Sequence, residues 1–368
     1  MTDAYLIEGE RRAGELGNRG PLRFDDDGNL LPGILEAYWR TGFYVFEGVL
    51  GEAELGDLDA DFERVLERAP SSSTATTDAR GRPALGVDVK LPQFHFARPL
   101  SDPVGGTGIL DGRHPVKMSE PDAPDGAPEE VVYYIGSGAL QLMDSYLRLY
   151  GHPRLLAVAE QINGPDFVPW YEAIFIKHAA LGPSTSWHQD GTTHWDNAAL
   201  GPGAHGFNMM VQLHPTTPAN ALWVVPGTHR GRVDIAARVA ANGGSDRLPG
   251  AVPMLCQPGD VAINNRQVVH GSFANVSESL RVTLVFGFYP RASVLGVVRG
   301  NPPRPYDAAR VHDRSRIIPL AVDARRQRYP QERPYRYGPL AGELDDNRWS
   351  DSTRESILKN YDTRTMFI

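Results

Sequence analysis

The chain has 368 residues, 41% of them apolar, with 37 Lys and Arg against 45 Asp and Glu, a net charge of −8. That is material for a large core, and the acidic balance excludes an electrostatic footprint for nucleic acid or for an anionic membrane surface. Cys256 is the only cysteine, so no intrachain disulfide can form and a reducing, cytoplasmic setting is expected.

The opening MTDAYLIEGERRAG is too charged for a secretory leader, and no run approaches the ~18 apolar residues of a membrane span. Residues 33–41, GILEAYWRT, read as a short helix, and FYVFEGVL over 43–50 reads as a strand. Leu55, Leu58, Phe62, Val65 and Leu66 recur at three- and four-residue steps, an amphipathic helix closed by Pro70. The polar SSSTATTDARGRPALG (71–86) and the Pro-, Gly- and Asp-rich 99–130 make 71–130 an irregular, lid-like segment, with VDVKLPQFHFARPL inside it. Helices are expected over roughly 137–149 and 153–163, the second stopped by Gly164.

From residue 170 the texture changes. YEAIFIKH, GFNMMVQLH, ALWVVP, GDVAINN and LRVTLVFGFYP are short apolar, β-branched or aromatic runs separated by Pro, Gly and Asn. Such punctuation predicts an antiparallel sandwich or barrel, not a βαβ fold. The expected division is one catalytic domain: a helical N-terminal flank to 169, core strands over 170–290 and a C-terminal extension over 291–368. The arginine-rich stretch 311–338 reads as a solvated tail, with a phosphate or subunit contact as the alternative.

SWHQDGTTHWD contains His-x-Asp twice, at His188/Asp190 and His194/Asp196. Residues i and i+2 of an extended segment share a face, so either pair could present an imidazole and a carboxylate to one ion. The first pair follows a strand and a polar turn; the second runs into the loop-forming NAALGPG with nothing to hold it rigid. His270, 82 residues after His188, offers a third ligand. Two histidines and a carboxylate leave neighbouring positions open on the ion, the donor set of non-haem Fe(II) oxygenases. Arg281 lies eleven residues beyond His270, in a strand where Leu280, Val282, Leu284, Phe286 and Phe288 form one face and Arg281, Thr283 and Val285 the other. An arginine inside a strand needs an anion, and its planar fork suits a carboxylate. Ser272 can add a hydroxyl to that anion.

WHQDGT, ALWVVPGTHRG, QPGDVAINNRQVVHGSFANVSESLRVTLVFGFYP and YWRTGFYVFEGVLGEAEL together resemble the phytanoyl-CoA dioxygenase-like family of Fe(II)- and 2-oxoglutarate-dependent oxygenases, over about 33–66 and 170–290. The resemblance implies a mainly β fold with flanking helices (α+β), a double-stranded β-helix or jelly roll. It implies that His188, Asp190 and His270 hold the iron and that Arg281 and Ser272 meet the distal carboxylate of 2-oxoglutarate, with Gln189 and Thr283 as further co-substrate contacts. It also implies consumption of O2 and release of succinate and CO2. His229, in VPGTHRG, is expected in a turn. His194, Trp195, Trp223 and His178 are candidates for the substrate pocket, with plain packing as the alternative for each. His95, His114, His152, His205, His214 and His312 have no partner at ligand spacing.

Family relatives that chlorinate lack the carboxylate ligand, so Asp190 argues against halogenation. The motif strands offer few basic residues for an acyl-CoA, and a modified amino acid or secondary metabolite is the favoured substrate. The chain is expected to act as a monomer or homodimer on a small molecule, without nucleic acid or membrane. Two rival readings use the same fold: a zinc hydrolase, and a jelly-roll binding module without turnover. Neither needs a strand arginine after the last ligand.

Overall fold

The computed structural model describes residues 3–87, 93–136, 138–191, 193–299 and 303–360. Residues 88–92, within the expected covering segment, lie outside the described residues. Twelve strands build two facing sheets: β1 (Arg19–Pro21), β2 (Phe43–Glu47), β3 (Phe94–Ala97), β4 (Val131–Gly136), β5 (Val168–Lys177), β6 (Thr185–His188), β7 (Phe207–Gln212), β8 (Trp223–Val225), β9 (Val252–Pro253), β10 (Val261–Asn265), β11 (Val269–Ser272) and β12 (Arg281–Tyr289). Among the described residues the larger sheet runs β1-β2-β10-β7-β12-β5-β4-β3 and the smaller β6-β11-β8-β9. Apart from the parallel β1–β2 pair, these neighbours are antiparallel. The double-stranded β-helix expected from the sequence is thus the fold. Its strands start earlier than residue 170, because β1 to β4 extend both edges of the larger sheet.

The alternation along β12 explains how the sheets are sandwiched. Val282, Leu284, Phe286 and Phe288 are buried with Tyr146, Leu147, Tyr150 and Leu156 from the helices Asp144–Tyr150 and Pro153–Asn163. Val285, on the opposite face, packs with Met210 of β7 and with Leu222 and Val224 beside or in the smaller sheet. One side of the strand therefore holds the helical layer and the other lines the barrel interior. The helix expected over 137–149 is broken: Ala139–Leu142 and Asp144–Tyr150 are separated by Met143, which is extended at φ −133°, ψ 109°. Residue 137 lies outside the described residues.

The N-terminal Ala4–Glu15 helix is capped by the Asp3 carboxylate and lays Tyr5 on Trp223, ring centroids 4.8 Å apart. The C-terminal basic stretch contributes most of the helices Ala308–Ser315 and Ile317–Arg328. There Arg325 is buried against Glu54 and Glu332, each at 2.6 Å, and Arg328 pairs with Asp57 at 3.2 Å. These arginines bind the extension to the Glu52–Glu67 helix. No helix among the described residues is long and apolar enough to cross a membrane.

Glu172, on the helix-facing side of β5, is fully buried, and burial pushes its carboxyl from 4.5 up to about 8, with Arg314 offsetting only part of the effect. Between about pH 4.5 and 8 the folded chain therefore keeps a proton that the unfolded chain releases, so stability falls as pH rises through that window. Glu172→Gln is expected to flatten this dependence. Urea denaturation across the window checks it, and an unchanged slope in the variant contradicts the assignment.

Candidate active site

β6 and β11 pair so that His188 lies opposite His270 and Thr185 opposite Ser272, with an irregularity between the two positions. The strands come close because Gly271 has no side chain: a Cβ there would stand 3.0 Å from the Thr185 carbonyl oxygen. His188 Nδ1 lies 2.9 Å from the Ser186 carbonyl and His270 Nδ1 2.8 Å from the Val268 carbonyl. Each Nδ1 can only donate to a carbonyl, which fixes the tautomer and leaves Nε2 as a lone-pair donor. Those Nε2 atoms face Asp190, at 3.6 Å from Oδ1 and 4.0 Å from Oδ2. Burial pulls both imidazoles below their ordinary value, so they stay neutral. Among the described residues, His188, Asp190 and His270 form the one cluster of three potential ligands, their donor atoms within 4.8 Å of one another. Two neutral imidazoles and a carboxylate on one side of a common point can hold a first-row divalent ion with further positions open.

Asp190 is held from both sides of the chain. Its backbone N–H donates to the Arg266 carbonyl at 2.8 Å. Gly191, at φ +88°, turns the chain immediately afterwards, and a Cβ there would stand 2.5 Å from the His205 ring. Gln189 points away: its amide nitrogen lies 3.1, 3.0 and 2.6 Å from the carbonyls of Thr228, Gly231 and Gln267, and its oxygen accepts from Val233 N at 2.9 Å. That corrects the expectation that Gln189 contacts the co-substrate. Strand alternation sends it to the opposite face, where it staples the ligand segment to the turn after β8.

Burial alone would raise the Asp190 carboxyl, but the guanidiniums of Arg266 and Arg113 hold it well below the usual carboxylate range. Arg113 Nη1 stands 2.6 Å from Oδ1, and Arg266 Nε 3.6 Å from Oδ2. Arg113 arrives on a compact loop closed by the Asp102 carboxylate, which accepts from Gly105 N at 2.9 Å and Met118 N at 2.8 Å. Beside it, His114 stacks on His188 at 4.1 Å and bonds Ser186 Oγ at 2.9 Å; burial draws its imidazole down to about 4. His114 is therefore a neighbour of the ligand set, contrary to its expected isolation. Leu110, Asp111 and Gly112, three successive residues at φ +55°, +59° and +68°, form the tip of this loop.

The two residues expected to meet an anion, Arg281 and Ser272, offer buried donors. Arg281 is buried, with Nη1 donating to the Asn220 carbonyl at 2.9 Å. Arg281 Nε and Ser272 Oγ are buried with no hydrogen-bond partner among the described residues. Burial lowers the Arg281 guanidinium to about 10, so it remains cationic at neutral pH. The donors left open suit a carboxylate. Thr283 shares the face but donates to Gln212 Oε1 at 2.9 Å and does not line the cavity, which corrects its expected co-substrate role.

A cavity of about 340 Å³ joins these groups, lined by His188, Asp190, His270, Ser272 and Arg281 together with Arg113, His114, Asn208, Asn264, Tyr171 and Phe175. None of the four substrate candidates reaches it. His178 Nε2 bonds the Val132 carbonyl at 2.8 Å, and Trp223 is core, its Nε1 donating to the Pro218 carbonyl at 2.9 Å. His194, at φ +65°, bonds the Ser293 carbonyl at 2.6 Å and lines a separate surface hollow with Trp195. His229 is a turn residue, its Nε2 3.1 Å from the Trp39 carbonyl.

The sequence model described as phytanoyl-CoA dioxygenase (PhyH) matches residues 38–283. The chain belongs to the phytanoyl-CoA dioxygenase family. As a member it is a 2-oxoglutarate-dependent dioxygenase, using Fe(II), 2-oxoglutarate and O2. Among solved structures it is similar to EctD from S. alaskensis, crystallised with 2-oxoglutarate and 5-hydroxyectoine: 19% identity, TM-score 0.50, 77% of this chain and 85% of that one. It also resembles AviO1 from Streptomyces viridochromogenes Tue57 (22%, TM-score 0.47, 70% and 94%) and HygX from Streptomyces hygroscopicus with nickel and 2-oxoglutarate (15%, 0.46, 72% and 88%). No curated protein matches the chain.

Removing the Asp190 charge leaves Arg113 and Arg266 facing each other without it. Asp190→Asn is expected to cost the metal-free chain about 3–5 kcal/mol, the usual effect of breaking a buried pair from one side. The same variant should exchange amide protons faster over the Arg113 loop. Chemical denaturation and hydrogen exchange measure the two effects, and a variant as stable and as protected as the parent contradicts the account.

Proposed function

We propose that this family member oxidises an unactivated C–H bond of a small organic substrate, hydroxylation being the simplest outcome. In this reading His188, Asp190 and His270 hold the iron, and Arg281 with Ser272 seats the distal carboxylate of 2-oxoglutarate. The observation that carries it is the coexistence, in one cavity, of the two-histidine, one-carboxylate cluster and a buried arginine whose Nε is unpartnered. When bound, iron with 2-oxoglutarate and O2 supplies an oxidant for C–H bonds, with succinate and CO2 as co-products.

The chain's own residues set the terms of that chemistry. The Ser186 and Val268 carbonyls hold the imidazoles by Nδ1, so that Nε2 would be the atom offered to the ion. Arg266 and Arg113 keep Asp190 ionised and turned inward. The cavity wall is otherwise largely aromatic and aliphatic, which limits access of water to the reacting bond. A zinc hydrolase has no use for the open donors of Arg281 and Ser272, and retention of Asp190 argues against halogenation. Among the described residues the lining contains two arginines and no lysine, and Arg316, Arg325, Arg326 and Arg328 of 311–338 are ion-paired elsewhere, so a phosphate-rich acyl-CoA finds few partners. A secondary metabolite or modified amino acid fits better.

Anaerobic addition of Fe(II) and 2-oxoglutarate is expected to give the weak visible metal-to-ligand charge-transfer band, and its absence removes this reading. Arg281→Ala should weaken 2-oxoglutarate binding by about 2–4 kcal/mol while sparing iron. His188→Ala should abolish the band. His194→Ala should retain it, because His194 is bonded to Ser293 outside the cavity. Loss of iron in the His194 variant and its retention in the His188 variant would overturn the ligand assignment. Succinate release against a metabolite library then identifies the substrate.

A further inference from the structure

Two asparagines share the cavity with the metal cluster, and neither iron binding nor co-substrate binding uses them. Asn208 of β7 and Asn264 of β10 are direct cross-strand partners in the larger sheet, and both line the cavity. Asn264 is 0% exposed and Asn208 6%. Asn264 Nδ2, Asn264 Oδ1 and Asn208 Oδ1 have no hydrogen-bond partner among the described residues. A buried amide group left unpaired costs about 1–3 kcal/mol, so three open atoms at the same point in a cavity wall mark a place for a polar ligand.

The position separates that ligand from 2-oxoglutarate. Asn208 is level with Gly287 on β12, six residues along the strand from Arg281. Six residues at about 3.3 Å each span roughly 20 Å. The co-substrate has four C–C bonds of about 1.5 Å between its carboxylates, roughly 5 Å end to end. Seated on Arg281, it does not extend to the asparagines. Asn264 lies instead towards Asp190, two residues before Arg266, whose carbonyl accepts from Asp190 N at 2.8 Å.

The surroundings restrict the chemistry. Asp190 is the only carboxylate among the described lining residues, and Arg113 already neutralises it at 2.6 Å, so no acid is left for an ammonium group. The second lining cation, Arg281, is at the far end. At the level of the asparagines the lining residue on β5 is Tyr171, whose ring lies nearly parallel to that of Tyr134, at 6.3 Å and 21°. Such a wall suits the apolar face of a ring. The open atoms are two acceptors and one donor: a pair of hydroxyls supplies two donors and an acceptor together, whereas a lactam supplies one donor and one acceptor and leaves an amide oxygen unmet.

We propose that the Asn208–Asn264 pair is the substrate-recognition site and takes a neutral ring carrying neighbouring hydroxyl groups, its apolar face against Tyr171 and Tyr134. The proposal rests on the oxygenase reading above and names the substrate class of that site. At about 340 Å³ the cavity is at the small end of the usual range of ligand pockets, about 300–1,000 Å³, and it holds co-substrate as well, so the ring is a small one.

The test compares three six-membered rings by saturation-transfer NMR on the full chain loaded with Zn(II) and 2-oxoglutarate: trans-cyclohexane-1,2-diol, cyclohexanecarboxylate and cyclohexylamine. The diol alone is expected to show transfer, and its affinity should drop roughly five- to ten-fold in Asn264→Leu and in Asn208→Leu. Both variants should keep the parent's thermal stability or exceed it, since an apolar group replaces an unpaired amide. They should also keep the Fe(II)–2-oxoglutarate absorption band. Failure of the diol to bind, equal binding by the variants, or preference for either charged ring overturns the proposal. Loss of the band in the variants alone also overturns it, because the asparagines would then serve the co-substrate. Absence of the band in the parent chain strikes at the oxygenase reading, while the diol comparison still decides whether the asparagines recognise the ring.

Discussion

A buried carboxylate ringed by positive charge and by imidazoles organises this molecule. Taking Asp190 out of water costs several kcal/mol, which only close partners can offset. Arg266 approaches from the turn between β10 and β11, Arg113 from the loop closed by Asp102, and His188 and His270 from paired strands. Segments far apart in sequence thus meet at one side chain, and the ion pair between Arg113 and Asp190 spans 77 residues. The geometry of the His188, Asp190 and His270 cluster and the Arg113 loop are therefore built together. The strained tip at Leu110 and Asp111, where left-handed backbone costs roughly 1–2 kcal/mol per residue, is tolerated because the following arginine is anchored.

The opposite end of the cavity has the reverse electrostatic character. Arg281 is directly paired in register with Lys177, so two cations lie side by side on the interior face of the larger sheet. Lys177 Nζ donates to the carbonyls of Pro183, at 2.6 Å, and Phe273. Those carbonyls stand just before β6 and just after β11, so the lysine ties together the strands that carry the histidines. Burial and the Arg281 charge pull Lys177 well below its ordinary value, which reduces the repulsion. Arg281 keeps its charge and faces the cavity. An anion that enters is met by a preorganised donor, not by one that must be drawn from solvent.

Much of this was legible in the sequence because it depends on local alternation. The two faces of β12, the His188/Asp190 pairing and the stop of the Pro153–Asn163 helix at Gly164 follow from spacings of two and from helical periodicity, and the structure shows all three. Gln189 was legible too: the alternation that turns His188 and Asp190 inward must turn their neighbour outward, and analogy with relatives obscured this. Arg113 and His114 were not. They sit in a Pro- and Gly-rich segment with no period, and their position depends on the Asp102 bonds to Gly105 and Met118, which no spacing rule encodes. The aromatic substrate candidates failed for a different reason. Trp223 has the composition of a pocket residue, but its ring is needed to seat the N-terminal helix through Tyr5.

The uncommitted polar atoms of the cavity are distributed in a way that separates folding from function. Ser272 Oγ and Arg281 Nε are open in one part of the lining, Asn208 Oδ1 and both amide atoms of Asn264 in another. Each such atom costs the folded chain on the order of 1–3 kcal/mol relative to a paired one. A core selected for stability alone would replace them with apolar groups of the same shape, as it does along Met210 and Val285 between the two parts. Their cost is carried by the surrounding sandwich, where β12 is buried along its whole length. In the proposed reading the same atoms would give that cost back when ligands arrive, and because the two groups differ, a cation and a hydroxyl against two neutral amides, they would sort two ligands by charge.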